Sequence, residues 1–477
     1  MVKEKDEVLI KSGLEIHQQI DTGKLFCNCP SLLRQDEPDY TVERKLHKVA
    51  GESGEVDVAV GYEASKDKKF VYQAYDDNCC LLELDESPPF PINQEALKIA
   101  IQISLLLNCE IIQDTQIMRK NVIDGSNTSG FQRTVLIARN GYVETKQGRV
   151  GIEIVALEED AARIISKDKE KSVFRLDRLG IPLVEIATAP DINKPNQAKE
   201  VALHIGDVLR ACKVMRGIGT IRQDVNLSVR LDNKQGKRIE IKGVQEPELI
   251  EKTILSEVER QKKLIKQDKS EEEVRKANED GTTSFLRPLP GAGRMYPETD
   301  LELLHISREM INEVKAKLPR LRQEIREELR GKGLSEELMK LILSSRKLEE
   351  FNELNSVFNK PDLIVKLLVL WPAEFSKKQK AKNKITIDVA ESILQALEAG
   401  KINENDCKQV EFEYLGGKPI EQALKVERVE NIEDEIIKLV KEKPGLSINA
   451  YMGLAMQKFK GKVSGKQIAE ILARIVK

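Results

Sequence analysis

The chain has 477 residues, 40% of them hydrophobic and 33% charged, with a formal net charge of −2. A balance so near neutral excludes nucleic-acid binding driven by overall charge, so any such contact must come from a local basic surface. No apolar run reaches membrane-spanning length, and MVKEKDEVLIKSG lacks the apolar core of a signal peptide, which together predict a cytoplasmic protein. Seven cysteines, an odd number with one adjacent pair, argue against a disulfide framework and for a reducing compartment. The length is enough for two to four domains.

In chain order, strand signals dominate the first three hundred residues. VDVAVGYE (56–63), KFVYQAY (69–75), RTVLIAR (133–139), GYVETK (141–146) and RVGIEIVALE (149–158) alternate or run β-branched. IPLVEIAT (181–188), VNLSVRL (225–231) and RIEIKGV (238–244) follow in the same manner. Helical periodicity interrupts them at 93–108, at 195–213 behind Pro195, and at 247–267. The stretch 266–281, KQDKSEEEVRKANEDG, is so charged that it reads as a solvated linker or helix end. Beyond LPGAGRMYPETDLE nearly everything is helical. The reading is therefore α+β: a β-rich domain over 1–302, an all-helical domain over 303–400, and a small helical tail over 401–477.

Chemistry concentrates in GLEIHQQIDTGKLFCNCP (13–30). Glu15 and His17 alternate on a strand and so share one face. Cys27 and Cys29 are soft ligands that suit zinc, and with Cys80 and either Cys79 or Asp77 they offer four ligands from two loops. The competing reading is a core strand with satisfied polar residues and buried thiols, and the Cys-x-Cys and Cys-Cys spacing falls short of a full zinc pattern. Glu185 interrupts the apolar run IPLVEIAT, where a carboxylate is costly unless paired or metal-bound. Asp224 and Asn226 share a strand face, and Glu158, Glu159, Asp160, Glu240, Glu298 and Asp300 add acids at strand ends. Carboxylates converging from separate strands repel one another unless a cation neutralises them, which is the logic of a phosphoryl-transfer site. No Walker-type phosphate loop and no G-x-G-x-x-G after a strand is present. In the tail, Met452–Lys477 carries six Lys/Arg against one Glu, either a solvated face or a surface for an RNA backbone.

Eight ordered segments carry a resemblance: GLEIHQQIDTGKLFCNCP, LELDESPPFPINQEALKIA, RKNVIDGSNTSGFQRT, LEEDAARI, DRLGIPLVEIATAPDI, GTIRQDVNLSV, IEIKGVQE and RPLPGAGRMYPETD. They resemble, over essentially the whole chain, the B/E family of aminoacyl-tRNA amidotransferase subunits, and most of all its archaeal E type. The resemblance implies a β-rich cradle domain, a helical domain and a tRNA-contacting tail. It implies a carbon–nitrogen ligase that uses ATP to phosphorylate glutamate mischarged on tRNA(Gln), after which ammonia displaces the phosphate. Activation is needed because a carboxylate has no good leaving group until it becomes an acyl phosphate.

Carried across by motif, Glu15, His17, Glu159 and Glu185 match the family's Mg²⁺-binding and catalytic residues. Asp224, Asn226, Glu240, Lys242, Arg294 and Tyr296 match segments implied to contact nucleotide or acceptor end, as do Ser126, Ser129 and Gln132 in GSNTSGFQ. Lys458, Lys460, Lys462 and Lys466 fall in the tRNA-contacting tail, and Cys27, Cys29, Cys79 and Cys80 in a structural zinc site. Two departures stand out. An inserted domain usual in the E type is replaced by the charged stretch 266–281, and one cysteine pair of the B type appears as Asp77-Asn78-Cys79-Cys80. No amidase or asparaginase-like signature is found, so the resemblance implies ammonia from an asparaginase-like glutaminase subunit, with homodimers assembled into a heterotetramer. Two other readings remain at this point: a B-type subunit that also amidates Asp-tRNA(Asn), and a tRNA-binding protein without catalysis.

Overall fold

The structure, a computed structural model, describes residues 7–47, 50, 54–56, 60, 61, 64, 65, 68–289, 295–345, 347–425, 432–459 and 465–475. Strands run in the order β1 (Val8–Gln19), β2 (Tyr40–Arg44), β3 (Lys69–Ala74), β4 (Glu110–Ile111), β5 (Asp114–Thr115), β6 (Ile117–Asn121), β7 (Phe131–Thr145), β8 (Gly148–Glu159) and β9 (Arg163–Lys167). There follow β10 (Lys171–Arg175), β11 (Pro182–Thr188), β12 (Ile221–Leu231), β13 (Lys234–Gln235), β14 (Ile239–Lys242), β15 (Glu273–Ala277), β16 (Thr283–Pro288), β17 (Met295–Pro297) and β18 (Leu304–His305). The fold is α+β, as the patterning implied.

A 12-stranded sheet dominates, in the order β16-β15-β14-β12-β1-β11-β8-β7-β6-β17, with β13 and β4 attached at its margins. Its inner strands alternate strictly. Leu14, Ile16, Val155, Leu157, Val184, Ile186, Val225, Leu227, Ile239 and Ile241 all enter one core, against helices Gln94–Leu106, Pro195–Ala211 and Pro247–Lys266. Those helices sit where periodicity put them, and two of them begin on a proline in the first turn, where its missing N–H costs nothing. Polar residues between the apolar ones therefore face the other way, onto a surface opposite those three helices. Ten strands laid flat would span roughly 43 Å, yet Pro288 of β16 and Met295 of β17, on opposite edges, are seven residues apart and within about 25 Å of chain reach. The sheet must curl, and the polar face is its concave side.

Three expectations change. The charged stretch 266–281 does open on a helix end, that of Pro247–Lys266, but it is not all linker: Glu273–Ala277 is β15, parallel to β14 and antiparallel to β16. Within that strand Arg275 is buried and pairs with Glu273 (2.9 Å), which also meets Arg260 of the preceding helix (2.7 Å), and Ala277 enters the core; the other charges of the stretch are exposed, as expected. Of VDVAVGYE, expected as a strand, Val60 and Gly61 are helical, and 57–59, 62 and 63 lie outside the described residues. Finally, the chain divides into two compact units, Met1–Arg322 and Gln323–Lys477. The first runs past the expected boundary at 302 because Ile306 and Val314 are buried in its core and helix Arg308–Ala316 is tied to helix Gln94–Leu106 by Lys98–Glu313 (3.0 Å).

The second unit is helical throughout its described residues and holds two separate cores. One, around Phe351, Ile364, Ile393 and Cys407, extends as far as Ala423; the other, around Ile436, Tyr451, Phe459, Ile468 and Leu472, belongs to the tail. Among the described residues no helix is long and apolar enough to cross a membrane. Glu411, wholly buried on helix Glu404–Leu415, leaves both carboxylate oxygens without a hydrogen bond, and burial pushes its pKa up to about 9. A raised folded pKa means that Glu411 favours folding least once the unfolded chain can ionise it. Stability should thus fall as pH rises from about 4.5 toward 9, by on the order of 3 kcal/mol at neutral pH. Glu411→Leu is expected to raise the thermal midpoint and to remove most of this slope, measured by thermal unfolding at pH 5 and pH 8.5.

Candidate active site on the concave face

Register decides which acids meet. β1 lies between β11 and β12, with His17 opposite Glu185 on one side and Glu15 opposite Asp224 on the other. Glu240 on β14 faces Asn226, and Glu158 on β8 pairs beside Glu185's strand. Five carboxylates from five strands, Glu15, Glu158, Glu185, Asp224 and Glu240, thus share the concave face with His17. Ligand atoms of His17, Glu158 and Glu185 lie within 4.8 Å of one another, and so do those of Glu15, His17 and Asp224. His17 Nε2 is 3.5 Å from Glu15 and 3.6 Å from Glu185. Hard oxygens with one imidazole nitrogen at this spacing fit a small divalent cation.

Charge balance within the face is close. Lys120 reaches Glu158 at 2.6 Å and Glu185 at 3.6 Å, and Lys242 reaches Asp224 at 2.8 Å and also Glu240. Burial opposes the charged form of His17, but its hydrogen bond to Glu185 and the fields of Glu185 and Glu15 outweigh that and raise its pKa. Burial, then the neighbouring Glu185, pushes Glu15 up to about 7, whereas Lys120 and His17 overcome burial to hold Glu185 below the usual range. A cavity of about 380 Å³ opens over these groups, lined also by Gln132, Arg222 and Arg287. A second, of about 470 Å³, shares Glu15 and Glu240 with it and is lined by Lys11, Asn226, Arg238 and Met295.

Glu159, expected among the metal ligands, faces the other way. Its neighbour Leu157 is in the helix-side core, and its carboxylate is buried at 3.3 Å from Arg133, which also binds Glu298 at 2.8 Å. Consecutive strand residues point to opposite faces, so Glu158 takes the position and Glu159 anchors a buried ion chain Glu159–Arg133–Glu298–Arg119. The guanidinium of Arg119 and that of Arg133 flank the Phe131 ring at 4.6 and 5.1 Å, and Tyr296 packs edge-on to the same ring. Tyr296 is thereby part of this support, while Met295 beside it lines the larger cavity. Arg294 lies outside the described residues.

The loop 124–130 is fixed from beneath. Gly125 has φ +90° and a Cβ there would lie 2.2 Å from Phe70, so only glycine fits; its carbonyl accepts from Tyr72. The Ser126 and Ser129 hydroxyls are engaged within the loop, with Asp124 and the Phe131 carbonyl, so neither extends toward the cavities of the concave face. Gln132 does reach the site, donating to Glu158 at 3.0 Å.

The cysteines assemble with a different fourth member. Cys27, Cys29, Cys80 and Glu83 bring ligand atoms within 4.8 Å of one another. Cys79 instead is buried in the small core around Tyr72 and Phe174, and Asp77 is ion-paired with Arg34. Glu83 accepts from Cys27 Sγ (3.1 Å) and the Cys80 N–H (2.8 Å) and pairs with the wholly buried Lys24 at 2.9 Å. The Cys27 side chain beside it lowers the Cys29 thiol to about 7. Three sulfurs and a carboxylate, one thiol near ionisation, suit zinc. All seven cysteines are free thiols. In the tail, Lys458 pairs with Glu435 at 2.7 Å, Lys460 and Lys462 lie outside the described residues, and Lys466 falls in helix Gly465–Ile475.

Glu83 and Lys120 were not singled out from sequence as site residues, and Glu158 was named only as one of the acids at strand ends, not among the cation ligands. For Glu158 a signal existed, because the alternation of RVGIEIVALE puts it opposite Leu157.

Residues 10–312 match the model of the GatB/GatE catalytic domain. The chain is 37% identical to the E-type glutamyl-tRNA(Gln) amidotransferase chain of Methanocaldococcus jannaschii, over 99% of both chains. It is 34% identical to the protein of that name from Archaeoglobus fulgidus and 33% to one from Methanococcus maripaludis, each over 98% of both chains. The first alignment runs over 627 positions, more than this chain has residues, so part of that relative has no counterpart here. The matched span holds every residue of the concave acidic face and of the cysteine cluster, and with that span this chain belongs to the GatB/GatE family.

Proposed function

We propose that this chain is the ATP- and tRNA-handling subunit of a glutamyl-tRNA(Gln) amidotransferase, converting Glu-tRNA(Gln) to Gln-tRNA(Gln) through a γ-phosphoryl glutamate. The observation that carries the reading is the gathering of His17, Glu158, Glu185, Glu15 and Asp224 from neighbouring strands on the sheet face opposite the core helices. Mg²⁺ would be held by His17, Glu158 and Glu185, with Glu15 beside them, and when bound it supplies positive charge against the ATP phosphates. The chain's own cations, Arg222, Arg287 and Lys242, line the same cavity and orient anionic groups within it. The adjoining cavity that shares Glu15 and Glu240 gives a second substrate a place within reach of the first.

Zinc at Cys27, Cys29, Cys80 and Glu83 would be structural, since the four ligands leave no open position. The basic tail, Lys458 to Lys466, would lie along the tRNA backbone. Ammonia comes from a glutaminase partner of the asparaginase-like type, in the cytoplasm. Part of the relative without counterpart here agrees with the missing inserted domain.

The expected result is that the purified chain, given ATP and Glu-tRNA(Gln), forms Gln-tRNA(Gln) with high ammonium but not with glutamine until the partner is added. Acid-gel analysis of the aminoacyl-tRNA reads this directly. Glutamine-driven amidation by the chain alone would remove the partner from the reading, and no product with ammonium would remove the catalytic role.

A further inference from the structure

Lys120 is the group on the concave face to which the proposed reaction gives no task. It stands on β6 opposite Gln132, and Gln132 and Lys120 bind the two different oxygens of Glu158. Its ammonium lies 2.6 Å from Glu158 and 3.6 Å from Glu185, the two carboxylates that together with His17 make one of the two candidate cation positions on this face. A divalent cation bound by both carboxylates would approach their oxygens to about 2.1 Å. An ammonium that is already within hydrogen-bonding range of one and close to the other cannot keep that position beside a doubly charged ion. Lysine and metal therefore compete for the same pair of oxygens. The side chain is long and flexible, and it lines the 380 Å³ cavity, so it has somewhere to go. Lys242 differs: its partners Asp224 and Glu240 flank Glu15 on the far side of β1, away from Glu158 and Glu185.

We propose that Lys120 is an exchangeable counter-cation: it neutralises Glu158 and Glu185 until a divalent ion takes them, and its displaced ammonium then meets the phosphoryl group in the cavity. The exchange would make cation loading and phosphate recognition a single event. A chain without metal would keep its lysine bound to the acids and offer phosphate a weaker site. This rests on the assignment of His17, Glu158 and Glu185 as the cation site.

The test uses Mn²⁺ with the full chain. Equilibrium titration of Lys120→Met, followed by electron paramagnetic resonance of free Mn²⁺, is expected to show a dissociation constant at least tenfold lower than wild type. ATP turnover at saturating Mn²⁺ should nevertheless fall at least tenfold. Because Lys120→Met leaves Glu158 and Glu185 uncompensated and can make folding depend on metal, the wild-type chain carries a second measurement. Acetylation of Lys120 by a water-soluble reagent, read by peptide mass spectrometry against the exposed Lys98, should increase on adding Mn²⁺. An unchanged or weaker Mn²⁺ affinity in the variant, undiminished turnover, or labelling of Lys120 that does not respond to Mn²⁺ would overturn the proposal. Failure of the underlying assignment looks different: wild type and Glu185→Gln would then bind Mn²⁺ alike.

Discussion

Glu185→Gln is expected to lower ATP-dependent amidation by about two to three orders of magnitude while leaving the fold intact. The carboxylate is opposite His17 across β1 and β11 and is held ionised by Lys120 and His17, so it is one of the fixed negative charges from which the site is built. Glutamine keeps its shape and one acceptor oxygen but removes the charge. Glu158→Gln should behave in the same way. Glu159→Gln should not, because that carboxylate is on the helix side of the sheet with Arg133. Measuring Mn²⁺ affinity and amidation for the three variants separates the two faces: loss at Glu158 and Glu185 with Mn²⁺ binding kept at Glu159. Full turnover in Glu185→Gln would remove the cation site as assigned here.

Arg133→Met is expected to cost about 3–5 kcal/mol of stability, the usual consequence of leaving buried charges without their partner. Arg133 is almost fully buried between Glu159 and Glu298, and its guanidinium also lies over the Phe131 ring. Methionine fills much of the volume but neutralises nothing. Glu298 keeps Arg119, whereas Glu159 has Arg133 as its ion-pair partner among the described residues. Adding Glu159→Gln to Arg133→Met should therefore recover part of the loss, which denaturant unfolding of the single and double variants would measure. A change below about 1 kcal/mol in Arg133→Met would mean that the buried chain contributes little.

The sequence was most informative where local pattern and global position coincide. Helix 195–211 was legible from its proline and its periodicity, and Glu185 from the cost of a carboxylate within IPLVEIAT. Glu15 and His17 were legible together because a two-residue spacing on a strand settles that they share a face. Which of two adjacent acids, Glu158 or Glu159, joins them is read from the alternation of RVGIEIVALE, where Glu159 has the parity of the core residues Val155 and Leu157, and a motif match that named Glu159 carried no such parity. Glu83 was hidden for a different reason. It lies in LELDES, which reads as a turn, and only the approach of the Cys27–Cys29 loop makes it a ligand. The 266–281 stretch hid a strand because composition averages over its exposed charges, while only Glu273 and Arg275 turn inward to pair with each other and with Glu257 and Arg260 of the preceding helix.

The short connection between β16 and β17 has a mechanical consequence. It ties one end of each rim of the trough, Pro288 and Met295, by seven peptide steps, so these two ends cannot part by more than about 25 Å whatever enters between them. Lengthening that tether would be the way to let them part further.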